Sequence, residues 1–552
     1  MTRNVISTLI IMLFLGLPLL AQAQPEQMLT DDFIQPGESK TLTSDTVWIL
    51  DGFVFVEDGS ELFIEPGTVI KGTPGTGADA SALIVARGGK IFAEGSPTQP
   101  IIFTAESDNL DGNLPLDANG LWGGVIILGN SSLNSEPGTT IIEGIPTTET
   151  RGLYGCGDAF DCDEEDDSGV FRYVSIRYGG SEIGAGNEIN GLTMGGVGSG
   201  TTIEFVEVFN NQDDGFEWFG GTVNTRFLSA SFNGDDAFDY DEGFRGKGQF
   251  WFAVQREGDR AGEHDGGTDP EDGTPFATPT IYNATYIGNG SDAGGNNDTF
   301  VFRDNAGGFY FNSIFTEFAG IGVTIEDLDS GEDSRARLEA GELNLANNIW
   351  WNFGVGNDPA DFIPQQFVRD AVLAAGQLNE VVDPQLGGIS RDPDGGLNPL
   401  PFIDGPAFDN VRAIPEGDDF FEAVNYRGAF GTVNWATGWT AISEFGILGS
   451  VFTDIEDELA FDERPTKVRL EQNFPNPFNP STVIRFDLPQ SQQVTLKVYD
   501  ITGRLVTTLV DGVRSAGTNE IRFDAANLAS GVYLYRLQSN SVTLTRSLTL
   551  IK

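Results

Sequence analysis

From Val47 to about Gly354 the chain alternates apolar and polar residues in runs of four or five, each closed by a Gly, Asn or Pro corner. Val47-Trp-Ile-Leu50, Phe53-Val-Phe-Val56, Leu62-Phe-Ile64 and Thr68-Val-Ile-Lys71 open the series, and Ala82–Ala86, Lys90–Ala93, Ile101–Thr104 and Val125–Leu128 continue it. A period of two puts successive side chains on opposite faces of a strand. Runs this short mean that each strand buries one face and the chain then turns. A sandwich would join such strands by tight hairpins. The irregular corners, with a longer recurrence further on, favour a solenoid.

That recurrence is explicit. Asn211-Gln-Asp-Asp-Gly-Phe-Glu-Trp218 aligns with Asn233-Gly-Asp-Asp-Ala-Phe-Asp-Tyr240 at an offset of 22, and the runs before them, from Phe205 and Phe227, keep the same offset. Such a period suits one coil of a parallel β-helix, three short strands and three corners, with equivalent residues about 4.8 Å apart on stacked coils. Further coils are expected at 281–287, 309–315 and 345–352, interrupted by loops at 255–279 and 325–343. Between Pro359 and Glu380 the apolar residues Phe362, Phe367, Val368, Val372 and Leu373 take helical spacing, which predicts a helical cap on the open solenoid edge.

The two ends differ from this body. Thr2-Arg3 and an apolar run from Val5 to Leu20 precede Ala21-Gln-Ala23, the pattern of a secretory signal peptide over 1–23 and too short for a membrane anchor. The expected body spans 24–452, a polar acidic linker 453–468, and a small β-sandwich 469–552, where alternating strands are punctuated by Pro, Asn and Gly. The overall expectation is all-β: a right-handed parallel β-helix followed by a small Ig-like β-sandwich.

Net charge is −51, but 469–552 carries nine Lys or Arg against six Asp or Glu, so the acidity belongs to the body. Nucleic acid is excluded as a partner, because phosphate binding needs the opposite sign. Seven lysines stand against 24 arginines; a saline or cation-rich habitat is one reading of this balance, and calcium binding another. The two cysteines, Cys156 and Cys162, predict a local disulfide closing a surface loop in an oxidising compartment. His264, the only histidine, sits in Gly262-Glu-His-Asp-Gly-Gly267 and reads as an exposed loop residue.

Candidate chemistry centres on the repeated acids. Asp213, Asp214 and Glu217 of one coil would stack on Asp235, Asp236 and Asp239 of the next, and carboxylates stacked so closely need a raised pKa, a basic partner or a cation. Asn-x-Asp-Asp supplies the carboxylate, amide and backbone oxygens that Ca²⁺ takes, so Asp213, Asp214, Asp235, Asp236 and Asp239 are the candidate metal ligands. Arg245 and Lys247 follow directly and are expected to neutralise part of the charge.

Catalysis is the alternative reading: Asp213, Asp214, Asp235 and Asp236 as acid and base of a glycoside hydrolase, or Arg245 or Lys247 as the base of a polysaccharide lyase. The Gly-His-Gly and Arg-Ile-Lys elements of polygalacturonases are missing from the sequence. Aromatic residues beside the acids, notably Trp218, Tyr240 and Trp251, read either as core or, where alternation turns them outward, as a sugar-binding stripe. Asp327-Leu-Asp-Ser-Gly-Glu-Asp333 has the flavour of a calcium loop without full EF-hand spacing, and the glycines of 195–200 are turn residues rather than a nucleotide loop.

Two resemblances add to this. Asn473-Phe-Pro-Asn-Pro-Phe-Asn-Pro-Ser-Thr482, Val494-Thr-Leu-Lys-Val-Tyr-Asp-Ile-Thr-Gly-Arg504 and Leu528-Ala-Ser-Gly-Val-Tyr-Leu-Tyr-Arg536 resemble, in order and spacing, the type A sorting domain of the type IX secretion system. The resemblance implies passage across the outer membrane to the cell surface or medium, with the secretion machinery as partner and no membrane span in the mature protein. Leu62–Gly72, Leu83–Ile91, Asp213–Gly221 and Tyr426–Gly431 resemble a family of exported right-handed β-helix proteins, which implies fold more than function. The combined expectation is a secreted adhesion or carbohydrate-binding protein stabilised by Ca²⁺, with a polysaccharide lyase or hydrolase as the alternative and a purely structural surface protein as a third reading.

Overall fold

The 22-residue repeat is one coil of a parallel β-helix. Thr202–Phe209 pairs parallel with Asn224–Ser231, and Phe216–Phe219 with Phe238–Asp241, both at an offset of 22. The computed structural model describes residues 24–157, 162–184, 187–267, 270–449, 468–470, 478, 480–488, 492–500, 504–514, 517–525, 528, 531–539 and 542–550. The expected signal peptide, 1–23, and the expected linker up to 467 lie outside the described residues. The chain divides into two units, 1–451 and 452–552.

Three faces build the first unit. Nine parallel strands, Phe53–Val56, Ala82–Val85, Val125–Leu128, Leu192–Gly195, Phe216–Phe219, Phe238–Asp241, Arg260–Asp265, Asp298–Arg303 and Val323–Ile325, form what we term the third face. The first and second faces merge into one 18-stranded sheet, because in four coils (Gly169–Arg177, Thr202–Phe209, Asn224–Ser231 and Lys247–Val254) a single bent strand serves both. The 255–279 segment differs from the expected loop. Arg260–Asp265 is a full strand of the third face, and the offset there lengthens to 24 (Phe238 opposite Gly262), which hides the repeat from simple alignment. The 325–343 segment likewise contains a helix, Ser334–Ala340.

The bend between the first two faces explains an otherwise odd feature. Tyr173, Phe205, Phe227, Phe250, Asn283, Asn312 and Asn347 occupy successive copies of this corner, and all have φ between 50° and 60°. Left-handed backbone costs a non-glycine residue about 1 kcal/mol. Stacking offsets it: the rings of Tyr173, Phe205, Phe227 and Phe250 lie 4.4, 4.2 and 4.8 Å apart in turn. Above them the Asn283, Asn312 and Asn347 amides donate to the carbonyls of Tyr426, Arg412 and Asn410, each at 2.8 Å.

Those carbonyls belong to a strap, residues 397–449, that lies along the corner after the last coil. Trp435 and Trp439 meet the aromatic row edge-on. The fully buried Glu207 carboxylate accepts hydrogen bonds from the N–H groups of Ala441 and Ile442 and from the Ser175 hydroxyl.

The helical cap takes the form of two short helices, Pro359–Phe362 and Gln366–Val372. Phe362 stacks on Phe353 at 4.6 Å, and the Gln365 amide satisfies both the N–H and the C=O of Ile325 at the edge of the third face. The second unit packs a three-stranded antiparallel sheet on a four-stranded one around its own core, which includes Phe486, Leu496, Tyr535 and Leu548.

Candidate cation site on the third face

Side chains on the third face alternate in and out. Trp218, Tyr240 and His264 point inward in register, while Glu217, Asp239 and Glu263 occupy the outward row beside them. Asp241 and Asp265 follow one step along the same strands. One corner earlier, the Asp214 carboxylate accepts the N–H of Asp236 at 2.8 Å, and Asp236 accepts the N–H of Arg260 at 2.6 Å. Asp298 repeats the pattern with Ile321 at 2.7 Å. These corner acids therefore tie each coil to the next, a structural duty that explains the repeated second Asp.

The outward row is largely screened from water, with Glu217 and Asp239 buried and Glu263, Asp241 and Asp265 partly exposed. The 129–167 excursion lays Leu133, Ile142, Ile145 and Tyr154 over Ile126, Leu128 and Phe219 in a second apolar cluster. Tyr154 donates to Glu242 at 2.6 Å, and Asn134 donates to the Gly266 carbonyl at 2.6 Å. Glu143 of the excursion comes against Glu217, and the Asn190 amide donates to both. The Cys156–Cys162 disulfide lies in this excursion, as the two cysteines predicted.

Among the described residues carboxylate oxygens converge in four sets, each within 4.8 Å: Asp213, Asp214 and Asp235; Asp214, Glu217 and Asp239; Asp235, Asp236 and Asp259; and, apart from these, Glu271, Asp304 and Glu326. Two full charges at that distance repel by roughly 3 kcal/mol at an effective dielectric of ~20. Burial first, and then neighbouring carboxylates, push Asp214, Glu217, Asp236 and Asp239 well above the usual carboxylate range. The same causes push Asp241 up to about 7. Only the far end is neutralised: Arg260 lies 2.7 Å from Glu263 and 2.6 Å from Asp259, and Arg303 lies 2.7 Å from Asp265. At the near end, Asp239 Oδ1 is buried and accepts no hydrogen bond.

The structure rearranges several sequence-based assignments. Arg245 and Lys247 do not neutralise the acids: Arg245 pairs with Glu164 at 3.0 Å and Lys247 with Asp418 at 2.6 Å. Both are engaged in salt bridges away from the acids. Trp218, Tyr240 and Trp251 are each 0 % exposed, so they cannot form a sugar-binding stripe. Alternation turned them inward, where Trp218 stacks on Trp251 at 4.9 Å.

His264 is likewise no loop residue. It is buried, stacks on Tyr240 at 4.0 Å and shares a hydrogen bond with the Tyr310 hydroxyl at 2.9 Å, and burial lowers its pKa to about 3. In the 327–333 segment Asp333 caps the Ser334–Ala340 helix and Asp327 pairs with Arg335, so both have structural partners. Residues that sequence reasoning missed are Glu143 of the excursion, Asn190 at the corner before Leu192–Gly195, and Arg260, Glu263 and Asp265 of the coil whose period is 24. Extending the repeat with a two-residue insertion would have found the last three.

Residues 35–358 match the family described as pectate-lyase-like β-helix domain, and residues 472–551 match the secretion system C-terminal sorting domain. No curated protein matches this chain. Among solved structures, the enzymatically active domain of bacteriophage CBA120 tailspike protein 2 overlaps 91 % of this chain and 72 % of its own at 11 % identity. Its TM-score of 0.21 is too low to carry an argument. Among the described residues no helix is long and apolar enough to cross a membrane.

Proposed function

The chain belongs to the pectate-lyase-like β-helix family and is exported through the type IX secretion system to the cell surface or medium; from that premise we propose that it is a glycan-binding surface protein whose third face is held together by a divalent cation. The observation that carries the cation is Asp239. Its buried Oδ1 lacks any hydrogen bond, and the carboxylates of Asp214 and Glu217 converge with its own within 4.8 Å. Ca²⁺ suits an all-oxygen set of this kind and would replace the protons that the carboxylates otherwise retain. Asp213 and Asp235 stand at the rim of the same cluster and Asp236 links it to the next coil. Export to a compartment where Ca²⁺ is abundant agrees with this use.

The test is thermal unfolding of the full chain after chelation and after Ca²⁺ is returned. A cation bound at a hundred times its Kd stabilises by about 2.7 kcal/mol. A melting temperature that Ca²⁺ leaves unchanged, in wild type and Asp239→Asn alike, would sink the proposal.

One observation favours the alternative, chain cleavage: Asp241, with a pKa of about 7, is poised as a general acid beside Asp265. Release of reducing ends or unsaturated products from a polysaccharide, lost in Asp241→Asn, would establish it. Adhesion without any turnover would leave the binding reading standing.

A further inference from the structure

With the aromatic stripe buried, a glycan-binding protein of this fold needs another place for its ligand. The two most exposed large apolar side chains in the described body are neighbours: Phe402 is 61 % exposed and Ile403 is 70 % exposed. Ile403 lines a cavity of about 480 Å³ in the strap, where the 401–409 turn meets the 425–432 turn. That volume lies within the ~300–1,000 Å³ range of small-ligand pockets.

Phe408 and Tyr426 form the aromatic wall, edge to face with ring centroids 6.3 Å apart. Asp404, Asp409 and Asn425 supply the polar lining, and all three are exposed. The floor is fixed: the Arg427 N–H donates to the Ala407 carbonyl at 2.7 Å, and the buried Arg427 guanidinium donates to Pro406 from below. Gly428 N–H donates to the Asn312 carbonyl at 2.7 Å, which anchors this turn to the solenoid corner.

From this arrangement we propose that the strap cavity is the glycan site, and that it takes a neutral hexose unit. The proposal rests on the glycan-binding reading above and locates it. The C–H face of a pyranose packs on an aromatic ring, while carboxylates and amides accept and donate hydrogen bonds to its vicinal hydroxyls. Two carboxylates and no basic side chain line the cavity. That charge rejects uronates and sulfated sugars by like-charge repulsion and leaves a neutral ligand as the fitting class. The site lies outside the third face, so ligand binding and the cation are separable.

Affinity electrophoresis of the full chain in gels containing laminarin, xylan or galactomannan, with alginate as the anionic control, is the direct experiment. Wild type is expected to be retarded by at least one neutral polysaccharide and not by alginate. Asp404→Asn combined with Asp409→Asn, two exposed positions, should weaken that retention at least tenfold, and Ile403→Ser should weaken it with an unchanged melting temperature. Retention undiminished in these variants would place the ligand elsewhere and overturn the cavity alone. Retention by alginate alone, or by none of the polymers, would overturn both this site and the neutral-glycan reading. A concentration-dependent dimer abolished by Ile403→Ser would make the rim a self-association surface and overturn the cavity as a sugar site.

Discussion

Two rows of equivalent residues climb the same coils with opposite consequences. The corner between the first and second faces repeats neutral side chains, Tyr173 to Phe250 and then Asn283 to Asn347, and each copy improves its neighbour by stacking or by bonding to the strap. The third face repeats carboxylates, Asp214 on Asp236 and Glu217 on Asp239, and each copy raises its neighbour's pKa. Strand register enforces both rows equally. The contrast teaches that a solenoid can repeat a neutral side chain without further provision, whereas repeating a charge obliges it to bind a proton, an arginine or a cation.

The sharpest break on the neutral side is Phe205→Ala. It removes ring contacts at 4.4 and 4.2 Å and the edges of Trp435 and Trp439, and leaves a β-carbon in left-handed backbone. A loss of about 3–4 kcal/mol is expected in chemical denaturation. Phe205→Gly, which relieves the backbone but not the stack, should lose nearly as much. If glycine restored stability, backbone strain rather than stacking would dominate the row.

Asn312→Ala comes next, at about 2–3 kcal/mol. Its amide donates to the Arg412 carbonyl at 2.8 Å and its Oδ1 accepts the Arg412 N–H at 2.7 Å, so truncation leaves two strap groups unpaired. Limited proteolysis should then cut first in the strap, between 397 and 449. Cleavage elsewhere would show that the strap is held by its tryptophans alone.

Much of the neutral row and of the coil architecture was legible in the sequence, because the 22-residue offset carries the register without adjustment from 202 to 241. The left-handed corner was not, since Phe205 and Phe227 look like ordinary strand residues. In the charged row the stacking of Glu217 on Asp239 was legible. Its cover was not, because Glu143 reaches it from the excursion, which has no period, and Asn190 from a coil offset by 24 rather than 22. His264 misled for a physical reason: glycines around a short polar run suggest a loop, but Gly262 and Gly266 are there because a β-carbon at either would collide with His264 or with the Asp304 carbonyl.

The charged row makes its own prediction about pH. Asp241 has a folded-state pKa raised to about 7 from an unfolded value near 4, so the folded protein holds the extra proton between these limits. Stability conferred by that proton is fully present below about pH 4 and is lost as pH rises through 7. In cation-free buffer the loss from this group should be roughly 2 kcal/mol once its partial contact with water is discounted. Saturating Ca²⁺ should flatten the profile by taking the place of the protons. Asp239→Asn should raise cation-free stability by about 1–2 kcal/mol and remove the response to Ca²⁺. A pH profile equally steep with and without Ca²⁺ would separate the acids from any cation.

The smallest effect is the most diagnostic of where the charges act. Lys247 pairs with Asp418 of the strap at 2.6 Å and is partly exposed, so Lys247→Ala should cost no more than about 1 kcal/mol. Although it follows the acids closely in sequence, its pairing is with the strap, and Arg260 and Arg303 carry the neutralising role instead. The variant should therefore leave the Ca²⁺ midpoint unmoved, whereas Arg260→Ala should shift it, because freeing Asp236, Asp259 and Glu263 adds anionic ligands to the same row. A midpoint that moved with Lys247 and not with Arg260 would mean that the cation answers to the strap corner, and the opposition between the neutral and charged rows would collapse into one coupled system.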